Sequence, residues 1–442
     1  MNFDNSFISL NIINFMINTY LAVLHPTQFM QATLTKQGIL LILLSIFNLF
    51  SNSSSAQENI SKRKTPMMGW SSWNNFRVAI DENIIKAQAD KMVSTKLKDA
   101  GYNFINIDDG FFAGRDAKGN LLTHPKRFPS GMKVLADYIH SKGLKAGIYS
   151  DAGINTCASI WDKDTIGVGS GMYGHDEQDL NLMLRTWGYD FIKIDWCGGE
   201  KLGLNDEMRY TQLSNRIKSI SSNVLFNICR WQFPGKWAVE IADSWRISGD
   251  ISNDFNSILH IIDKNADLWK FSSPGHINDM DMLQVGRGMS DDEDRSHFTM
   301  WSVMNSPLLL GNDLRTISNK TLALVSNKEI IALNQDKLGY QARRLKKNDK
   351  LEVWAKPLIS TMSGEVAVVL FNRSDKKQEI TFELDSIGID ADRLYKIRDL
   401  WKHQETGWMS LKSQQFVVPP HGVVALKVMG KSIPFNVFQK DI

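Results

Sequence analysis

The chain has 442 residues, of which 43% are hydrophobic and 22% are charged, which is typical of a soluble globular protein with two domains. Its net charge is only +3, and no long basic stripe is present, which argues against nucleic acid as a partner. Three cysteines suit an exported protein with one disulfide and a spare thiol, and their spacing matches no zinc site.

The first 56 residues have the pattern of an export leader. Lys36 precedes an apolar run over residues 38–50, and small residues at 54–56 precede Gln57. Met30 is a more natural start than Met1. We therefore predict a leader over residues 1–56, a secreted or periplasmic protein, and no stable membrane insertion after the leader is removed. The alternative is an N-terminal membrane anchor.

Between residues 57 and 338, short apolar runs alternate with stretches of helical spacing, such as 84–93 and 132–139. Continuous apolar strands that alternate with helices are typical of a parallel sheet covered on both faces. We predict an α/β catalytic domain, a (β/α)8 TIM barrel, rather than an open doubly wound sheet, because the glycine-rich dinucleotide turn is missing after the first strand. The predicted strands are 67–70, 104–107, 146–149, 191–194, 224–229, 244–247, 276–278 and 307–310.

Residues 339–442 have a different pattern, in which short strands alternate with turn-rich stretches. This spacing predicts a C-terminal antiparallel β-sandwich domain with a structural role, because no cluster of catalytic residue types lies within it. The predicted strands are 351–355, 365–371, 378–384, 395–401 and 422–428.

Two carboxylates, Asp195 and Asp250, follow the fourth and sixth predicted barrel strands. Hydrolysis of a glycosidic bond needs such a pair, since one group attacks or activates water while the other protonates the leaving oxygen. Lys193 lies two residues before Asp195, so both side chains point to the same face of the strand. The alternative is that the two aspartates are rim caps or ion-pair partners.

Several ordered motifs resemble those of glycoside hydrolase family 27, the α-galactosidases (melibiases) and α-N-acetylgalactosaminidases. The resemblance is close over residues 64–340 and implies a retaining mechanism with a covalent glycosyl-enzyme intermediate. The matching blocks are TPMMGWSSWN (65–74), NIDDG (106–110), GIYSD (147–151), KIDWC (193–197), WRISGDI (245–251), NDMDML (278–283), EDRSHFTMWS (293–302) and SPLL (306–309).

The resemblance implies a role for each matched residue. Asp195 is expected to be the nucleophile and Asp250 the acid/base, with their carboxyl groups roughly 5–5.5 Å apart. The adjacent acids of the NIDDG block are expected to accept hydrogen bonds from O6 and O4 of galactose, although a calcium site is an alternative. We expect no metal and no cofactor. The predicted substrate-binding residues are Trp73, Asp108, Asp109, Tyr149, Lys193, Cys197, Arg230 and Arg246.

The cysteines can be assigned from the same resemblance. Cys157 and Cys197 fall in loops after neighbouring strands and match the active-site disulfide of the family. Cys229 lies where the family often has another half-cystine, but Ala242 occupies its partner's position. We therefore predict that Cys229 is a free thiol, buried at the end of the fifth strand.

Arg230 departs from the family, in which many α-galactosidases carry a glutamate that helps to recognise the sugar's 2-position. Either Arg230 turns away and the site remains galactose-like, or the enzyme accepts an altered group at O2. The first alternative predicts hydrolysis of terminal α-D-galactosyl residues from oligosaccharides, polysaccharides or glycoconjugates. The other hypotheses are an α-N-acetylgalactosaminidase, a β-L-arabinopyranosidase, which retention of Asp108 disfavours, and a non-catalytic sugar-binding protein.

Overall fold

A computed structural model of the protein describes residues 65–360 and 363–433. The predicted leader, residues 1–56, lies outside the described residues, so it stays a prediction. Within the described ranges, no helix is both long enough and apolar enough to cross a bilayer.

Eight parallel strands form the sheet of the first domain, in the spatial order β8-β1-β2-β3-β4-β5-β6-β7. The gap between β7 and β8 is bridged by Leu283, which pairs in parallel with Leu310 and donates its N–H to the Leu309 carbonyl at 2.7 Å. The predicted (β/α)8 TIM barrel is confirmed. The strands are β1 Met68–Ser71, β2 Phe104–Ile107, β3 Lys145–Asp151, β4 Phe191–Asp195, β5 Leu225–Ile228, β6 Ser244–Arg246, β7 Ile277–Asp279 and β8 Leu308–Leu310.

Helices connect the strands, and several begin at capping residues that the sequence supplies. The Asp81 carboxylate accepts a hydrogen bond from the Ile84 N–H at 2.7 Å, and Ser290 and Glu293 form a reciprocal capping box. The helices are α1 Trp73–Phe76, α2 Glu82–Ser94, α3 Gly131–Ser141, α4 Cys157–Trp161, α5 Asp176–Leu180, α6 Cys197–Lys201, α7 Asp206–Ile220, α8 Trp237–Ile241, α9 Phe255–Asn265, α10 Asp291–Val303, α11 Asn319–Val325 and α12 Lys328–Asn334.

Alternate residues of the strands divide the barrel interior into an apolar and a polar end. Side chains two apart share a strand face, so Phe191, Lys193 and Asp195 form one interior row of β4. Phe191 belongs to a small apolar cluster with Met67, Phe104, Leu225 and Leu309. The polar members of the rows therefore lie towards the carboxyl ends of the strands, where active sites of this architecture are found.

The side chains of Asn106 and Phe191 can pack in the barrel interior because residue 147 in β3 is a glycine. A Cβ atom at Gly147 would lie 2.0 Å from Asn106 Oδ1 and 2.7 Å from Phe191 Cδ1. Only glycine permits this close approach between neighbouring strands without a shift of the backbone.

The C-terminal domain is antiparallel, as predicted, with a six-stranded sheet in the order β9-β10-β11-β16-β13-β14 and a two-stranded sheet β12-β15. The proposed boundary at 338/339 lies between α12 and β9. Three strands were not predicted: β9, β14 and β15. The strands are β9 Arg343–Asn348, β10 Leu351–Pro357, β11 Glu365–Asn372, β12 Gln378–Glu383, β13 Lys396–Asp399, β14 Gln404–Glu405, β15 Ser413–Val418 and β16 Val423–Met429.

A charged cluster joins the two domains. Arg373 forms a bidentate ion pair with Asp263 on α9, at 2.8 and 2.9 Å. Asp263 accepts a third hydrogen bond from Arg344 at 2.8 Å. Both arginines also contact Glu352, which is fully buried. Buried charges persist only when they are paired in this way.

Candidate active site

A cavity of about 380 Å³ opens at the carboxyl ends of the barrel strands. All but one of the ten predicted site residues line it, and Arg230 is the exception. A larger cavity, about 750 Å³, lies where α10–α12 meet the C-terminal domain and contains none of the predicted residues. The residues that line the first cavity are Trp73, Asn74, Arg77, Asp108, Asp109, Tyr149, Cys157, Trp161, Asp162, Lys193, Asp195, Cys197, Glu200, Trp231, Arg246, Asp250, Asp281 and Met282.

Asp195 is the last residue of β4 and is 5% exposed. Burial raises the pKa of its carboxyl to about 6, although the charge of Lys193 acts in the opposite direction. The backbone N–H of Trp196 donates to Asp195 Oδ1 at 3.3 Å. A buried carboxylate at the end of a barrel strand is thus aimed into the cavity and fixed by its own chain.

Asp108 and Lys193 form an ion pair across the barrel, with Lys193 Nζ 3.0 Å from Asp108 Oδ2. Burial opposes the charge of the lysine, but Asp108 and the other acids nearby hold the Lys193 pKa well above its ordinary value. The ammonium also lies 5.4 Å from the centroid of the Tyr149 ring. Together these groups place hydrogen-bond donors and acceptors on one wall of the cavity.

Asp109 is held differently from Asp108. Its Oδ2 accepts from the Ala158 N–H in α4 and its Oδ1 from the Gly110 N–H, each at 2.8 Å. Burial raises the pKa of this carboxyl to about 7 despite these two hydrogen bonds. Since both oxygens already have backbone donors, Asp109 also ties β2 to α4.

Asp250 lies at the mouth of the cavity, with its side chain 65% exposed. Arg246 Nη2 lies 3.0 Å from Asp250 Oδ1 and 2.9 Å from Asp281 Oδ2. Burial raises the pKa of Asp250, but Arg246 and Lys193 outweigh it and hold the pKa below its ordinary value. A general acid ordinarily needs a raised pKa to hold its proton near neutral pH. Here the guanidinium of Arg246 instead favours the Asp250 anion.

Asp281 is not among the predicted site residues, although it lies in the NDMDML block at residues 278–283. Its Oδ2 accepts from the Ile251 N–H at 2.9 Å, and its backbone is left-handed, with φ of 77°. Non-glycine residues in that region are strained and cluster at functional sites. Asp281 therefore fixes both Arg246 and the loop that carries Asp250, and only the folded loop reveals this contact.

Asp151 was also missed, because the sequence shows only an aspartate after β3. Its Oδ1 accepts from the Gly153 N–H at 2.7 Å and from the Gly198 N–H at 3.0 Å, which ties together the loops after β3 and β4. The predicted disulfide between Cys157 and Cys197 joins the same two loops, with their Cα atoms 5.1 Å apart. The pairing is confirmed, and it leaves neither sulfur as a thiolate for metal binding.

The arrangement can be compared with known proteins. A family model described as "Alpha galactosidase A" matches residues 65–336, and a second, described as "Alpha galactosidase C-terminal beta sandwich domain", matches residues 348–428. The chain belongs to glycoside hydrolase family 27, the α-galactosidase family. It is therefore a glycoside hydrolase, as predicted.

Similar family members come from distant organisms. The chain is 41% identical over 402 residues to alpha-galactosidase A of Cellvibrio japonicus, covering 86% of this chain and 96% of that protein. It is 42% identical to an alpha-galactosidase of Cyamopsis tetragonoloba, covering 78% and 82%. Among solved structures, alpha-galactosidase I of Mortierella vinacea has a TM-score of 0.78 and 34% identity, covering 85% and 99%. A β-L-arabinopyranosidase of Geobacillus stearothermophilus has a TM-score of 0.71 and 26% identity, covering 84% and 98%.

Arg230 points away from the cavity that holds Asp195 and Asp250. Its Nε lies 2.5 Å from Asp206 Oδ2 at the start of α7, and its guanidinium carbon lies 5.7 Å from the Trp196 ring centroid. The next residue, Trp231, has φ of 57° and lines the cavity. This position corresponds to the alternative in which Arg230 turns away, and it does not support the prediction that Arg230 binds the substrate.

Cys229 is a buried free thiol, as predicted. Burial raises its pKa well above the ordinary value, so the thiol stays protonated. It donates to Asp195, which lowers that carboxyl's pKa, and Arg246 Nη1 lies 3.8 Å from its sulfur. The protonated Cys229 thiol therefore favours the ionised form of Asp195.

Proposed function

We propose that this protein hydrolyses terminal α-D-galactosyl residues from oligosaccharides, polysaccharides or glycoconjugates by a retaining double displacement. The observation that carries the proposal is that Asp195, Asp250 and the Asp108–Lys193 pair line a single cavity at the carboxyl ends of the barrel strands. The similarity to α-galactosidases over most of the chain supports the choice of sugar.

In the first step, an Asp195 oxygen attacks the anomeric carbon and forms a covalent bond to it. The bond between the anomeric carbon and the glycosidic oxygen breaks, and Asp250 transfers its proton to that oxygen. In the second step, Asp250 accepts a proton from water, whose oxygen attacks the same carbon and releases the Asp195 carboxylate. Two inversions give net retention, and the geometry requires about 5–5.5 Å between the two carboxyl groups.

The charge of Asp250 raises the pKa of Asp195, so the ionisation of the two carboxyls is linked. The form required for catalysis has the proton on Asp250 and the charge on Asp195. Lys193 and the Cys229 thiol favour the charge on Asp195, whereas Arg246 opposes the proton on Asp250. A leaving group over Asp250 displaces water from it and thereby raises its pKa.

Galactose is favoured over an epimer by charged acceptors on the cavity wall. The Asp108 carboxylate, held by Lys193, is a strong acceptor for a sugar hydroxyl. A sugar with a differently oriented hydroxyl would lose its hydrogen bond to Asp108, which costs affinity. Arg230 pairs with Asp206 outside the cavity, so its charge is not offered to an anionic substituent of the sugar.

Export is part of the proposal. The disulfide between Cys157 and Cys197 suits an oxidising compartment, which agrees with the leader pattern at residues 1–56. We therefore propose a secreted or periplasmic enzyme.

The test uses azide rescue of variants at the two carboxylates, with an α-galactoside that carries an activated leaving group. Asp195→Gly with azide should form β-galactosyl azide, because one displacement inverts the anomeric centre. Asp250→Ala with azide should form α-galactosyl azide, because the covalent intermediate still forms. Asp243→Asn is the control, since Asp243 lies before β6 at the opposite end of the strand from Arg246 and should leave activity unchanged.

The stereochemistry of the two azides, read by NMR, decides the roles. The same azide anomer from both variants would contradict the assigned roles. Undiminished hydrolysis by Asp195→Gly without azide would end the mechanism as proposed. A native protein that prefers an α-N-acetylgalactosaminide or a β-L-arabinopyranoside would overturn the substrate and leave the mechanism standing.

A further inference from the structure

An exposed tryptophan stands at the mouth of the cavity. Trp161 is the last residue of α4 and is 65% exposed, yet it lines the same cavity as Asp195 and Asp250. Large exposed aromatic rings at the edge of a cavity offer flat apolar surfaces that match the C–H faces of pyranose rings.

The surroundings of Trp161 hold it in place. Lys201 Nζ lies 5.0 Å from the centroid of the Trp161 ring, so the ammonium group makes a cation–π contact with that ring. The next residue, Asp162, forms an ion pair with Arg77, whose guanidinium carbon lies 4.8 Å from the Trp73 ring centroid. The loops after β1 and β3 are thus joined across the rim by Trp73, Arg77 and Asp162.

Arg77 links this rim to the reacting groups. It ends α1 in a left-handed conformation, with φ of 46°, which costs energy for a non-glycine residue. Its positive charge is close enough to Asp250 to lower that carboxyl's pKa. Because Asp250 must reach the glycosidic oxygen, the part of the substrate beyond that oxygen lies on the Arg77 side of the mouth.

We propose that Trp161, with the charged groups Arg77 and Glu200, forms a subsite for the sugar that leaves. The subsite raises kcat/KM for galactosides whose leaving group is a second pyranose, relative to galactosides with a small leaving group. The subsite rests on the proposed α-galactosidase function. The aromatic ring stacks on the second pyranose, and Arg77 and Glu200, which both line the cavity, exchange hydrogen bonds with its hydroxyls.

The test compares two substrates that share the galactosyl group. α-Galactosyl fluoride has no second sugar, whereas galactosyl-α-1,6-glucose has one. In Trp161→Ala, the ratio of kcat/KM for the disaccharide to kcat/KM for the fluoride should fall about three- to tenfold, the range expected for one aromatic contact. Trp161→Phe should restore most of the ratio, because phenylalanine keeps a flat ring.

Trp408 provides a matched control. It is 62% exposed on the C-terminal domain and also carries a lysine, Lys396, whose Nζ lies 5.6 Å from its ring centroid. Trp408→Ala should keep the native ratio. An unchanged ratio in Trp161→Ala, or an equal fall in Trp408→Ala, would overturn the subsite. If the native protein hydrolyses neither substrate, the proposed function itself fails.

Discussion

Asp281 offers a direct test of how the site controls the proton on Asp250. We consider Asp281→Asn, which is nearly isosteric and keeps an oxygen for the Ile251 N–H. Asparagine tolerates the left-handed backbone at this position better than most residues do. The substitution therefore removes one negative charge beside Arg246 with little change in shape.

The size of the effect follows from the shared arginine. Arg246 Nη2 lies 3.0 Å from Asp250 and 2.9 Å from Asp281. The two acceptor oxygens are therefore at most about 6 Å apart, and two unit charges at that distance interact by about 3 kcal/mol at an effective dielectric of 20, or about 0.7 kcal/mol in water. The 65% exposure of Asp250 places it near the lower value. Its pKa should fall by about half a unit to one unit.

The direction of the change can be read from a pH profile of kcat/KM. The general acid must be protonated, so the alkaline limb of the profile reports its pKa and should move to lower pH by about half a unit to one unit. The loss should be large for galactosyl-α-1,6-glucose and small for dinitrophenyl α-galactoside, whose leaving group needs no proton. Equal losses on both substrates, or an unmoved alkaline limb, would refute the role assigned to Asp281.

Three further changes test other contacts. Replacing both Cys157 and Cys197 by alanine should lower the free energy of unfolding by about 4 kcal/mol in denaturant titrations, because the disulfide closes a 40-residue separation. Cys229→Ala removes a donor to Asp195, so the Asp195 pKa should rise and the acidic limb of kcat/KM should move to higher pH. Although burial raises the pKa of Asp263, its ion pairs lower it to about 2. The stability this group contributes is present above the unfolded pKa near 3.8 and should be lost as pH falls towards 2, by on the order of 1 kcal/mol because Asp263 is 42% exposed, and Asp263→Asn should abolish this pH dependence.

The barrel could be predicted because each strand carries its own signal. The run Phe191–Asp195 is apolar except for Lys193 and ends at an acid, and other apolar runs that lead to acids recur around the sheet. The missed strand β9 has no such signal. Its residues, including Arg343, Lys346 and Lys347, are polar and partly exposed, since β9 is an edge strand that pairs on one side with β10.

The parts of the site that were missed depend on contacts between distant segments. The positions of Trp161 and Arg77 are coupled through Asp162, and no local pattern predicts an ion pair over 85 residues of sequence. The direction of Arg230 is likewise set by Asp206 on another element. Sequence motifs therefore identify residues whose role depends on one strand end, and they miss residues whose role depends on how loops meet.

Lys193 and Arg246, two cations that line the cavity, are both paired with acidic side chains. Lys193 is paired with Asp108, and Arg246 is shared between Asp250 and Asp281, so neither cation is left facing the anomeric centre unpaired. Burial raises the pKa of Asp109 to about 7 and the pKa of Asp151 well above its ordinary value, so both groups hold a proton more readily than an exposed carboxyl does. Asp195, the proposed nucleophile, lies on the cavity wall beside these ion pairs. The proposed reaction passes through an oxocarbenium-like transition state, whose positive charge develops next to this carboxylate and is stabilised by it.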